Sequence, residues 1–383
     1  MKIVPPRAHR AAAIAAALLP LAAEPAHAFI FQPPLSLKRG NDQLCLRRAS
    51  YLQSRAARPP LARLRVCCAL WSGPGGTGFD LYSLLSAFGG WVAITAKVLA
   101  VPYLAVVGLL WSAQRTIIYP RPAVFADPAV TGGKLVLLAA SDSLIQCSSA
   151  ADGPASASGA SPTVAAVHFP AKDSMPTIVY FHGNADQVGW GASYIGKELS
   201  ERFGFGFYGI EYPGYGASQG LAPTEAALYL ASQQLLDHLA SPQGLNVDSG
   251  KTILLGQSIG CAVVVEMASR GYGTRMILLS PFSSIRQMAS AAFPVVAPAL
   301  AVLPWLVRDK FDNESKASKL LLPALVLHGT QDEIVPYSQG RRLAATLPNC
   351  RFEDLEGAGH NDLFGAEHEE TVLWHIQRFA GIE

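Results

Sequence analysis

The chain has 383 residues, of which 15% are charged and 50% hydrophobic. An ordinary soluble protein carries about 25% charged residues. That excludes a disordered, collagenous or disulfide-scaffold chain and leaves more apolar sequence than one soluble domain needs. The net charge of +2 hides a split. Residues 1–78 hold eleven Lys/Arg against two Asp/Glu, and the remainder is net negative. The six cysteines form no CxxC pair and no His lies at zinc-finger spacing from them, so neither a structural metal nor a disulfide framework is expected.

Residues 1–28 have the secretory pattern: Lys2, Arg7 and Arg10, an apolar run from Ala11 to Ala23, then Ala26-His27-Ala28. The alternative is an N-terminal anchor or an Ala-rich tail. Residues 29–78 hold eight basic residues and one acid, Asp42, which is transit-peptide composition. Together the two segments resemble the bipartite presequence of algae with secondary plastids. The competing address is the secretory pathway. No aromatic-interleaved basic surface follows, so a nucleic-acid partner is not expected.

From Leu81 to Gln114 the only charge is Lys97. Trp91 to Ser112 supplies enough apolar residues for one membrane span, with Trp91 and Trp111 as interfacial aromatics and Arg115 and Arg121 beyond. The alternative is a buried helix of the domain that follows. A second uncharged run, Ala289 to Val307, is broken by Pro294, Pro298 and Pro304 and reads as a loop with short helices, not as a span.

After Pro120 the pattern changes to short apolar runs alternating with amphipathic stretches. Lys134–Leu138 and Val164–Phe169 predict a hairpin with a flexible Ser/Ala/Gly-rich insertion over 147–162. Runs at 177–181, 206–210, 252–255, 276–279 and 324–327 are near-continuously apolar, as for parallel strands covered on both faces. A helix is predicted from Thr224 to Leu239. The fold class is therefore α/β, a mostly parallel, doubly covered sheet of about eight strands over residues 114–383.

The chemistry gathers where strands end. Thr252–Leu255 runs into Gly256-Gln257-Ser258-Ile259-Gly260 and then a helical stretch, the strand–turn–helix context in which G-x-S-x-G exposes a nucleophilic serine. Asp332 follows the strand ending at Leu327, with Glu333 as the alternative acid. His360 follows the last strand, 351–355. The order Ser258, Asp332, His360 is the nucleophile–acid–base order of α/β hydrolases. The N–H of Ile259 and, from the loop His182-Gly183-Asn184-Ala185-Asp186, that of Asn184 are the expected oxyanion donors. His182 is expected to brace that turn, and Cys261 to pack as a small hydrophobe.

FHGNADQ at 181–187, YPGYG at 212–216 with Ser218, GQSIG at 256–260, HGTQDEIVP at 328–336 and GAGHND at 357–362 resemble the membrane-anchored αβ-hydrolase-domain proteins. That group includes lysophospholipid hydrolases and protein depalmitoylases. Gln114-Arg115 to Ile118-Tyr119-Pro120 looks like the junction of that group between anchor and domain. The resemblance implies an α/β-hydrolase fold with an N-terminal transmembrane helix, and a serine esterase, lipase or thioesterase without cofactor or metal. Ser258, Asp332 and His360 would be its triad, and a lipid or acyl-protein its substrate. The depalmitoylases carry an N-terminal Cys cluster, of which Cys67-Cys68 is a thin echo. The resemblance also places a lid over 283–312, which takes in the proline-broken run. A serine aminopeptidase is the enzyme alternative and would use Asp309, Asp312 or Glu314 to read a free amine. A non-catalytic membrane scaffold is the alternative of another class, although all three triad residues are present.

Overall fold

The computed structural model describes residues 81–122, 124–150 and 161–381. The expected signal-like and transit-like segments lie outside the described residues, as does the middle of the 147–162 insertion.

The first described element, α1 (Leu81–Ile118), is one helix of 38 residues. The expected span 91–112 lies inside it. Pro102 sits mid-helix without ending it. Among its described side chains, Val98, Leu99, Val101, Leu104 and Leu109 face outward, each more than 60% exposed. Tyr103, Val107, Leu110 and Gln114, spaced four, three and four residues apart, are half-buried along one face. At the foot of the helix Ile118 and Tyr119 enter the core of the domain.

Eight strands make one sheet: β1 (Lys134–Ala139), β2 (Thr163–Phe169), β3 (Thr177–Phe181), β4 (Gly206–Ile210), β5 (Thr252–Gln257), β6 (Arg275–Leu279), β7 (Ala324–Gly329) and β8 (Cys350–Leu355). Their order is β1-β2-β4-β3-β5-β6-β7-β8, with β1/β2 and β2/β4 antiparallel and all other pairs parallel. The expected mostly parallel sheet of eight strands is what forms, as an α/β-hydrolase fold. Alternate residues of the central strands serve opposite faces. Val179, Phe181, Leu254, Leu278 and Val326 pack with helices α4 (Glu225–Ala240) and α5 (Ile259–Ser269). Ile178, Tyr180, Ile253, Leu255, Ile277 and Leu327 pack with α3 (Gly191–Phe203) and α10 (Glu369–Phe379). Burial on both faces explains why these strands read as unbroken apolar runs.

The stretch expected to be a flexible loop from residue 147 instead begins inside helix α2 (Asp142–Ser149). Ser141 caps it by accepting from Leu144 N, Leu144 is fully buried, and Ser148 Oγ donates to Ala222 O at 3.3 Å. Tertiary packing overrides the weak helix propensity of a Ser-rich segment. The lid region is built of short helices, α6 (Ile285–Ala292) and α7 (Ala297–Val302), with 3-10 turns at Pro294–Val296 and Pro304–Leu306. Each proline opens a turn, which is why the run does not form one straight helix. The remaining helices are α8 (Asn313–Ala317) and α9 (Tyr337–Thr346).

Candidate active site

The register aligns the C-terminal ends of the parallel strands: Phe181 pairs with Gly256, Gln257 with Leu279, Leu279 with Leu327, and Gly329 with Leu355. Strand order reverses between β3 and β5, and that crevice at the carboxyl edge is where open α/β sheets keep their sites.

Ser258 stands there, between β5 and α5, with φ 54° and ψ −118°. A non-glycine residue in that region is strained, and here the strain is held from both sides. Ser258 N donates to Leu279 O at 2.9 Å. A Cβ on Gly256 would come within 2.5 Å of Gly260 O, and one on Gly260 within 1.9 Å of Phe181 O. Both glycines of the motif are therefore demanded by close backbone approach. Behind the serine, Cys261 is fully buried, its sulfur 3.1 Å from Gly256 O and 3.2 Å from Leu279 O. Burial pushes its thiol pKa far up, which leaves it an inert core residue.

Asp332 lies three residues beyond β7. Its Oδ1 accepts from Ile334 N at 3.0 Å and Val335 N at 2.7 Å, and its Oδ2 lies 2.8 Å from His360 Nδ1. Burial by itself would raise its pKa. The hydrogen bonds from His328 and His360, the charge of His360 and the Val335 amide outweigh that and hold it well below the usual carboxylate range. Asp332 is thus an anion at neutral pH, and it fixes the proton of His360 on Nδ1. Glu333 plays a different part: its Oε2 accepts from the backbone N of His360 at 3.2 Å and does not hold the ring. Ser258 Oγ makes no hydrogen bond to His360 among the described residues. In serine hydrolases a hydrogen bond of this kind commonly tightens only in the reacting complex.

The loop after β3 carries Asn184. A Cβ on Gly183 would sit 3.9 Å from Ser258 Cβ, so this loop flanks the serine directly. Asn184 turns its carbonyl to Tyr215 Oη, which donates at 2.9 Å, and Tyr212 Oη donates to His182 O at 2.7 Å. His182 does brace the turn, through a partner that sequence reasoning missed. Its Nε2 lies 3.2 Å from Glu211 Oε1, and its Nδ1 lies 2.7 Å from Gly183 O. The signal was a lone acid between an apolar strand and Tyr212-Pro213-Gly214. A second missed residue is His328, fully buried, whose Nε2 lies 3.0 Å from Val335 O and 3.4 Å from Asp332 Oδ2. Its ring packs over Gly340, where a Cβ would come within 2.1 Å of Nδ1.

Comparison with known proteins agrees with this architecture. The family model described as serine aminopeptidase, S33, matches residues 172–314. The chain is 36% identical over 192 residues to alpha/beta hydrolase domain-containing protein 17B of Homo sapiens, a match that covers 49% of this chain and 61% of that protein. It is likewise 36% identical over 196 residues to protein 17C of Mus musculus, covering 50% and 57%. The chain therefore spans less than two thirds of the length of these relatives. Among solved structures, an esterase of Pyrococcus furiosus superimposes with a TM-score of 0.50 at 14% identity over 69% of this chain and 98% of that one, a likeness of fold alone. The chain has the α/β-hydrolase fold and is similar to the alpha/beta hydrolase domain-containing proteins.

Proposed function

We propose that the chain is a membrane-anchored serine hydrolase that cleaves an ester or thioester of a lipid or acylated protein through an acyl-enzyme. The observation that carries this reading is the 2.8 Å contact of Asp332 with His360 at the same sheet edge as the strained Ser258. Ser258 Oγ attacks the acyl carbon while His360 Nε2 takes its proton. The N–H groups of Ile259 and Asn184 stabilise the oxyanion. Collapse of the tetrahedral adduct expels an alcohol or thiol, which receives the proton from His360. Water then attacks the acyl-serine with His360 again as base, and the carboxylic acid leaves. Asp332 stays ionised throughout and holds the imidazole in its tautomer.

The acyl preference is supported by the uncharged run 287–307 within the lid. The aminopeptidase reading follows the description of the matching family model, but each acid that could read an amine is already engaged. Asp309 Oδ2 lies 3.2 Å from Arg115 Nε, Asp312 caps α8, and Glu314 pairs with Arg342 at 2.9 Å. Membrane anchoring is supported by the outward apolar surface of α1. Fully burying each Val or Leu there would gain about 1.5–3 kcal/mol, a large cost to leave in water.

Fluorophosphonate labelling tests the enzyme claim. The wild type should be labelled and Ser258→Ala should not. Labelling that persists in Ser258→Ala, or a wild type that takes none, would reject it. Fusing residues 1–78 to a reporter in an alga with secondary plastids tests the address: plastid import is expected, and retention in the secretory pathway would reject that part.

A further inference from the structure

The lid and the foot of α1 form one body. Gln114 Nε2 donates to Leu306 O at 2.7 Å, and Arg308 N donates to Gln114 Oε1 at 3.0 Å. Arg115 pairs with the buried Asp309, and the Arg308 guanidinium lies 4.0 Å from the centre of the Trp111 ring. One to two turns further up the helix the contact becomes apolar. Val107 and Leu110 pack against Val296, Leu300 and Val307 of the lid, joined by Ile285 and Leu306. Seven residues separate Val107 from Gln114, which is about 10 Å along a helix. The polar fastening and the apolar contact are thus offset along the axis of α1 by the depth to which interfacial elements sink into a bilayer, about 5–10 Å.

The other side of the lid is bare. Phe293, Val295, Val302 and Trp305 are exposed, the last two by 74% and 67%. No charged residue occurs between Arg286 and Arg308. The two helical stretches of the lid, 285–292 and 294–302, bend by 116° against each other, so the segment turns back on itself instead of continuing across. On α1, which packs against the lid through Val107 and Leu110, Leu104, Leu109 and Trp111 are exposed as well.

We propose that the lid is a second, monotopic membrane contact, dipped into the same leaflet as the foot of α1, so that acyl chains reach Ser258 from the bilayer. This rests on the reading of α1 as a membrane anchor. The occupant of the bare face is the hydrocarbon boundary of the bilayer. Continuity with α1 argues for it, as does the lack of charge, and Trp305 is a residue type enriched at that depth. The chain that leads into the lid leaves the sheet at Leu279, whose carbonyl accepts from Ser258 N, so the root of the lid lies next to Ser258.

The test uses the full chain in phosphatidylcholine nanodiscs, with a genetically encoded fluorescent amino acid placed in turn at Leu104, Val302 and Leu245. Leu245 is an exposed residue on the loop that follows α4. Chain-brominated lipid should quench the probes at Leu104 and Val302, and aqueous iodide should quench only the probe at Leu245. Quenching of Leu104 by brominated lipid with Val302 open to iodide would overturn the lid proposal and leave the anchor standing. Iodide access at all three positions would overturn both. A probe at Phe293 repeats the lid measurement if the Val302 variant does not fold.

Discussion

His182 Nε2 lies 3.2 Å from Glu211 Oε1, and both side chains are wholly shut off from solvent. The other ring nitrogen faces Gly183 O, which can only accept. Glu211 Oε2 in turn accepts from Val188 N at 3.2 Å. Both ring nitrogens of His182 therefore face acceptors, which favours the doubly protonated ring. Burial pulls its pKa down, but the hydrogen bond and charge of Glu211 outweigh burial and raise it. The result is an ion pair fastening the loop that carries Asn184.

Glu211→Gln removes the charge on one side of this pair. Breaking a buried pair by removing one partner costs about 3–5 kcal/mol, so the urea midpoint should fall sharply. The sign of the pH dependence follows from the raised pKa of His182. The contribution of the pair is fully present below the ordinary His value of 6.5 and is lost as pH rises through the folded value. The stability gap between wild type and Glu211→Gln should therefore shrink as pH rises. A gap that stays constant or widens toward alkaline pH would show that His182 is not the charged partner.

Asp332 has the opposite linkage. Its folded pKa is depressed, so its contribution is present above its ordinary value of 3.8 and lost as pH falls through the folded value. In Asp332→Asn the fold should survive, because an amide oxygen can still accept from Ile334 N and Val335 N. The ring of His360 would then lose the anion that fixes its tautomer, and kcat should fall by about 10⁴-fold. Hydrolysis of a short-chain ester, with circular dichroism to monitor the fold, checks this. A loss below tenfold would assign the acid's role elsewhere, Glu333 being the first candidate.

The sheet was legible because its central strands are buried on both faces and so appear as short unbroken apolar runs. The Asp332–His360 contact was legible because each residue closes a Gly-containing loop directly after a strand. What could not be read were contacts made across the fold. Glu211 and His182 lie in separate loops, and the sequence holds no periodicity that links them. Helix α2 was invisible for another reason. Its Ser-rich sequence favours a loop, and only the burial of Leu144 and the bond from Ser148 to the backbone at Ala222 decide otherwise. The helix that holds the span read at 91–112 runs on to Ile118, where Ile118 and Tyr119 are held in the core of the domain.

Gly260→Ala tests how closely α5 must approach β3. The new Cβ would lie 1.9 Å from Phe181 O and 2.9 Å from His182 O, both backbone atoms that cannot rotate away. The helix and the loop carrying Asn184 must then move apart. Overpacking of this kind costs about 1–3 kcal/mol. The same movement spreads the N–H groups of Ile259 and Asn184, so kcat should fall further than the stability loss alone explains. A variant with lowered stability but unchanged kcat would separate the Ile259 and Asn184 amides from the chemistry.

Gln114→Ala removes the two hydrogen bonds that Gln114 makes to the lid while leaving the sheet, Asp332 and His360 untouched. Each bond is worth about 0.5–1.5 kcal/mol net. The loss should appear locally, because Leu306 O and Arg308 N belong to the lid and not to the main core. Hydrogen exchange should therefore quicken over 285–308 and at the foot of α1, with protection of β5, β6 and β7 unchanged. The Arg115–Asp309 pair remains in this variant and continues to hold Glu225 N through Asp309 Oδ1 at 2.9 Å, which keeps α4 capped. If exchange instead rises throughout the sheet, the fastening is part of the global fold and the lid has no independent motion. If it changes nowhere, the apolar contact of Val107 and Leu110 with Val296 and Leu300 suffices to seat the lid without Gln114.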